Sequence, residues 1–311
     1  MTSGNQPTRL LARAMGDLLM SSARVWARVH DGDVTTVFVF CTILSANLAY
    51  LGYDSPLAAA AAAGDDGGAA LRRPISAHAI AESMSLPYET VRRRVVAMTA
   101  TGMLVRERSG LVVPAEALRQ PAAVAAMHEG RCLLEALRAV LVSIGFDLVA
   151  LAGGVSPMRT RPFDALVSRI VLDAQIRSME MVAPIFGDVM RAYIFYGVMR
   201  SNVAETLSDG DLAWRYAHED TPPPDAARKP ITIRELARAI EMPFETVRRQ
   251  VKRLLDAGVL TTIGSAGVIA PLSVVVGEQA AQQNAKLGAE FFRMLTTLAR
   301  VGAFLPADAT S

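Results

Sequence analysis

The pentad Glu-Thr-Val-Arg-Arg occurs twice, at residues 89–93 and 245–249, and holds the side chains whose types and spacing best suit recognition chemistry. A guanidinium is a planar fork of donors that matches phosphate oxygens and the paired acceptors of a guanine edge. At helical spacing Thr90, Arg92 and Arg93 point away from Val91, and Thr246, Arg248 and Arg249 point away from Val247. Glu89 and Glu245 have two readings: acceptors for cytosine, or charges that steady a helix N-terminus through its dipole. Arg94, Arg106 and Arg108 extend the first set of candidate contacts, and Lys252 and Arg253 extend the second.

No catalytic constellation accompanies them. His30, His78, His128 and His218 stand apart, without the spacing of metal ligands, so neither metal nor cofactor is expected and the chain reads as a non-enzyme. His30-Asp31-Gly32-Asp33 is read as a helix-ending turn. Gly153-Gly154 and residues 64–68 lack the Lys-Ser/Thr of a phosphate-binding loop and are read as linkers. Cys41 and Cys132 lie in apolar helical contexts, where buried packing is the default. The cluster Tyr193, Phe195, Tyr196 and Met199 near Trp214 has two readings, the lining of a small-molecule effector pocket or plain core.

The pentads belong to a longer duplication. Residues 74–104 and 230–260 align without a gap at an offset of 156, with 12 of 31 positions identical. In the first copy Ala77, Ile80, Ala81 and Met84 recur at helical spacing, matched by Ile233, Leu236, Ala237 and Ile240. Pro87 and Pro243 fit the first position of a second helix, whose buried stripe is Val91, Val95 and Met98, or Val247, Val251 and Leu254. Gly102 and Gly258 close that helix in a left-handed conformation. Two short apolar runs around a turn follow each glycine: 103–106 and 111–113, then 259–262 and 268–269.

This order of elements resembles the winged helix-turn-helix of bacterial transcriptional regulators of the MarR and GntR-like types. The resemblance rests on T-V-x-R-x-V-x-x-[ML]-x-x-x-G-x-L at 90–104 and 246–260 and covers about forty residues per copy. It implies that the helix after Pro87, or Pro243, is a recognition helix for the major groove of double-stranded DNA. At the same offset Leu10, Arg13, Asp17, Met20 and Ser22 face Leu166, Arg169, Asp173, Ile176 and Ser178, so the repeat unit spans about 155 residues.

The expected fold is mainly α: two tandem winged helix-turn-helix modules joined to long helices that form a pseudo-twofold, dimer-like core. Repeat 1–155 is read as helices within 8–52, a winged module at 74–114 and a helix at 115–151, interrupted at Pro121. Repeat 156–311 is read as helices within 163–207, a module at 230–270 and a helix at 271–304. A chain of 311 residues that is 51% hydrophobic can build one or two sizeable cores. Residues 71–119 and 228–270, each a module with its flanks, carry eight cationic side chains against four acidic ones apiece, while the whole chain is only +2. The cationic excess is therefore concentrated on the modules.

The uncharged run 34–51 invites a membrane test. Its counterpart carries Arg191, Arg200 and Glu205, which makes a helix buried at an internal interface the better reading. The stretch after Met1 is polar and then amphipathic, so no signal peptide is read and a cytoplasmic, nucleoid-associated location is expected. The functional expectation is a sequence-specific transcriptional regulator that uses two recognition helices on a pseudo-palindromic site, as a monomeric pseudo-dimer or a homodimer. The alternatives are a replication-initiator or DNA-architectural protein, and a protein-interaction scaffold.

Overall fold

The computed structural model describes residues 8–64, 71–148, 150–152, 163–205, 210–218 and 220–304. The glycine-rich stretch 65–68, Gly153-Gly154 and the expected helix end at 207 lie outside the described residues. The described chain is mainly helical, with two small antiparallel hairpins.

The first repeat contributes α1 (Thr8–Ala27), a 3-10 turn at Arg28–His30, α2 (Val34–Leu48) and α3 (Pro56–Ala63). It continues with α4 (Ala77–Ser83), α5 (Tyr88–Ala100), the hairpin β1 (Val105–Glu107) and β2 (Gly110–Val112), α6 (Ala115–Arg119) and α7 (Pro121–Ser143). The second contributes α8 (Phe163–Phe186), α9 (Val189–Asn202), α10 (Gly210–Arg215), α11 (Ile233–Ala239) and α12 (Phe244–Asp256). It ends with β3 (Thr261–Ile263), β4 (Gly267–Ile269), α13 (Leu272–Val275) and α14 (Glu278–Arg300).

Several expected boundaries move. Pro87 and Pro243 adopt an extended ψ, about +130°, and precede the helix instead of opening it. The helix expected at 115–151 is two, because Gln120, the residue before Pro121, is extended at ψ 140. The helix expected at 271–304 likewise breaks around Val276 and Gly277. The first strand of each hairpin starts two residues later than its apolar run suggests, since Met103, Leu104 and Leu260 are buried on the module before the strand begins, and the second starts one residue earlier, at a glycine.

The chain packs as two compact units that do not follow the repeats. The larger takes Ser21–Met181 and Glu290–Ser311; the smaller takes Met1–Met20 and Val182–Ala289. Most of the first helix of each repeat thus falls in the unit that holds the module of the other, α1 being divided after Met20 and α8 after Met181. In the larger unit, buried Arg169 of α8 donates through Nη2 to the carbonyls of Leu48 and Leu51, at 2.7 and 2.8 Å, and lies 3.5 Å from Asp173. Tyr53 donates to the same Asp173 at 2.8 Å. Burial raises the pKa of that carboxyl against the pull of Arg169. In the smaller unit the matching residue of α1, Asp17, accepts instead from Arg200 of α9.

The uncharged run is a core helix. Thirteen of the residues of α2 are buried, and its N-terminus is capped by Asp33, which accepts from the backbone of Thr35 and Thr36. No single helix among the described residues is long and apolar enough to cross a membrane; one bent pair, Asp164–Phe186 with Val189–Asn202, reaches that length and composition only together.

The His-Asp-Gly-Asp sequence forms the expected turn, with Asp31 and Gly32 left-handed, and the turn also folds His30 into this core. Its ring lies 4.7 Å from that of Phe40, its Nε2 has no partner among the described residues, and burial holds its pKa down to about 4. The folded state keeps His30 neutral where the unfolded chain protonates it, so its contribution is full above pH 6.5 and drains away as the pH falls toward 4. Urea unfolding at pH 7 and pH 4 should show the wild type losing about 2–3 kcal/mol more than His30→Phe. An identical loss in both proteins would place the histidine in contact with water.

Candidate nucleic-acid interface

Each module is a pair of short helices followed by a hairpin, and each is built the same way. In the larger unit Ile80, Ala81, Met84, Val91, Val95 and Met98 are buried between α4 and α5. Leu236, Ala237, Ile240, Val247, Val251 and Leu254 do the same between α11 and α12 in the smaller unit. Each fully buried valine or leucine contributes roughly 1.5–3 kcal/mol as an upper bound. Gly102 and Gly258 close α5 and α12 at φ 74 and 70, as their type and position require. At Gly110 an added Cβ would lie 2.6 Å from the carbonyl oxygen of Ile75, and at Gly267 it would overlap that of Ile231. Only glycine admits the bridges Ile75–Leu111 and Ile231–Val268, which tie each hairpin to the start of its module.

One buried asparagine anchors each module to its long helix. In the larger unit Nδ2 of Asn47, at the end of α2, donates to the carbonyls of Arg73 and Leu111 at 2.7 and 3.1 Å. Its Oδ1 accepts from Val113 N at 2.9 Å, and its own carbonyl accepts from Arg73 N at 3.0 Å. Asn202, at the end of α9, makes the same four bonds in the smaller unit: to Lys229 O and Val268 O at 2.8 and 3.2 Å, from Ala270 N at 2.9 Å, and from Lys229 N at 2.9 Å. These residues were not singled out from the sequence as anchors. They stand 155 apart, whereas the modules stand 156 apart, so a gapless comparison pairs Asn47 with Val203 and hides the match.

No family model, curated protein or solved structure matches this chain.

Arg92 and Arg93 are exposed on α5, and Arg248, Arg249, Lys252 and Arg253 on α12; Thr90 and Thr246 are half-buried beside them. Arg92 donates from Nε and Nη2 to the two carboxylate oxygens of Glu89, both at 2.7 Å, and this bond holds the Glu89 carboxyl below its ordinary pKa. Nε and Nη2 of Arg248 reach one oxygen of Glu245, at 2.9 and 2.8 Å. Lys252 pairs with Asp256 at 3.0 Å, and Arg253 donates to Gln250 at 3.3 Å. Arg93 and Arg249 make no ion pair among the described residues, nor do Arg106 and Arg108 on the exposed edge of the first hairpin.

Arg94 departs from the expected set. It lies about 200° around α5 from Arg92, on the flank that packs toward α2. There its Nε meets Asp33, the cap of α2, at 2.8 Å. Its counterpart Gln250 is buried. Arg94 thus docks the helix onto its support and leaves the outward face to its neighbours. Arg72 and Arg228 also turn inward: both are 6% exposed and donate to the carbonyls of Ala61 and Pro223. The cationic surplus of each module overstates its outward charge for that reason. Of the aromatic cluster, Tyr193 and Phe195 are buried, Tyr196 and Met199 are half-buried and Trp214 is exposed, while the rings of Phe186, Phe195 and Tyr196 pack at 4.5–6.1 Å.

Truncating the anchor tests how the modules are held. Asn47→Ala and Asn202→Ala should each cost on the order of 3 kcal/mol in urea unfolding, because buried backbone groups are left without partners. A loss below about 0.5 kcal/mol would mean that apolar packing alone seats the module.

Proposed function

We propose that this chain is a sequence-specific DNA-binding transcriptional regulator whose two tandem modules act as winged helix-turn-helix readers, resembling those of MarR and GntR-like regulators. In this reading α5 and α12 are the recognition helices and the two hairpins are the wings. One chain supplies both readers for a pseudo-palindromic duplex, so a single polypeptide does what a dimer of one-reader chains would do. The location that suits this activity is the cytoplasm, on the nucleoid.

One observation carries the reading. Each of two duplicated helices buries its apolar stripe on its own module and turns two arginines outward beside a half-buried threonine, one of the arginines without an ion pair among the described residues. A solvated helix face has no need to keep Glu-Thr-Val-Arg-Arg alike in both copies while its neighbours diverge. Phosphate and base contacts do need it.

The two readers are unequal. The first has the cationic hairpin with Arg106 and Arg108, whereas the second has Thr261, Thr262 and Ser265 in its hairpin and Lys252 and Arg253 on its helix. The first reader leans on its wing and the second on its helix, and their half-sites differ accordingly.

Replacing Arg93 and Arg249 together by Ala should abolish specific duplex binding in a mobility-shift titration. The dependence of log affinity on log salt should become shallower by about 0.9 for each phosphate that is no longer neutralised. Both side chains are exposed, so the melting temperature should stay within about a degree or two. Unchanged duplex affinity would overturn the proposal, and a large fall in melting temperature would assign these arginines to the fold.

A further inference from the structure

The same edge of the guanidinium is occupied in both readers. Glu89 takes Nε and Nη2 of Arg92, and Glu245 takes Nε and Nη2 of Arg248. What remains is the end-on pair: Nη1 and the outer hydrogen of Nη2, two parallel donors at the spacing of O6 and N7 of guanine. Among the described residues each glutamate carboxylate accepts from its arginine and from no backbone N–H of the first turn. The arrangement also recurs across two copies whose next residues have diverged, Arg94 to Gln250 and Val96 to Lys252.

We propose that Glu89 and Glu245 are positioning residues that hold Arg92 and Arg248 with their end-on donors presented to a guanine edge, leaving Arg93 and Arg249 to phosphate. The inference rests on the DNA-binding reading above and assigns its target chemistry: a guanine in each half-site. An arginine in water must be frozen before it can make two parallel bonds; one already held by a carboxylate has given up that freedom in the free protein. The held pair is close to neutral and adds little long-range attraction to the duplex. Arg93 and Arg249, one residue further on, carry the unbalanced charge and with it the salt-dependent part of binding. The pentad thus divides its two arginines between reading and holding.

The test uses the full chain and its Glu89→Gln/Glu245→Gln variant. Each selects from a pool of randomised duplexes, and each is then titrated against the selected duplex and a scrambled one over a range of salt. The wild type should enrich guanine in both half-sites. In the variant, affinity for the scrambled duplex should rise and its salt dependence steepen, because the released arginines turn to phosphate. Preference for the selected over the scrambled duplex should fall about tenfold or more. Arg92→Lys with Arg248→Lys, which keeps the charge and removes the fork, should lose the same preference and keep scrambled binding. Equal gains on both duplexes in the glutamine variant would reduce the carboxylates to mere repulsion and overturn the inference. So would a change of preference confined to cytosine, which would make the glutamates the readers. If the wild type binds no duplex at all, the DNA-binding reading falls and takes this inference with it; binding with unchanged preference in the variant sinks the inference alone.

Discussion

The placement of each module depends on one buried carboxamide at the end of a long helix. Where the chain arrives at the module and where it leaves the hairpin, backbone groups of three segments converge out of reach of water, and each must find a partner. Asn47 and Asn202 answer with a donor and an acceptor on a short side chain, which neither leucine nor aspartate could supply. The helix carrying the asparagine ends within a residue or two, so its own carbonyl is free to take a fourth bond. The module is thereby fixed by directional bonds as well as by apolar packing, and the helix that bears the arginines inherits that orientation.

From this frame the arginines acquire distinct tasks, although their chemistry is one. Arg72 and Arg228 are buried and brace the chain ahead of the module. Arg94 docks α5 on the cap of α2. Arg92 and Arg248 are gripped by glutamates one helical turn away, whereas Arg93, Arg249 and the hairpin arginines stand outward without an ion pair among the described residues. A cationic surplus counted along the chain merges these roles, because it takes no account of direction. The outward part is smaller than the count and more specific in shape.

The two halves show how far a duplicated chain can diverge while its skeleton is kept. The asparagine bonds, the left-handed glycines and the glycine that opens the second strand of each hairpin recur, each demanded by backbone geometry that tolerates little else. The side-chain joint between the first helix of one repeat and the second-helix region of the other has not been kept. In the larger unit Asp173 is buried with Tyr53 and Arg169, whereas in the smaller unit Asp17 meets Arg200, which stands where the first repeat has Ser45. A carboxylate can be satisfied by a hydroxyl or a guanidinium, so this position was free to drift; a backbone carbonyl facing an asparagine was not.

Much of the module was legible in the residues alone. The stripe Val91, Val95, Met98, the closing glycines and the hairpins are set by interactions within a few residues, and their periodicity and turn chemistry appear directly in the string. The regular offset of 156 exposed the duplication for the same reason. What tertiary structure decided is everything that depends on a distant partner: that Arg94 turns to Asp33, that Arg72 and Arg228 are buried, that Asn47 and Asn202 are equivalent despite a one-residue slip, and that the compact units cross the repeats. A helix specifies by itself which residues share a face, but which face meets solvent is settled by what packs against it, and those contacts come from segments far along the chain.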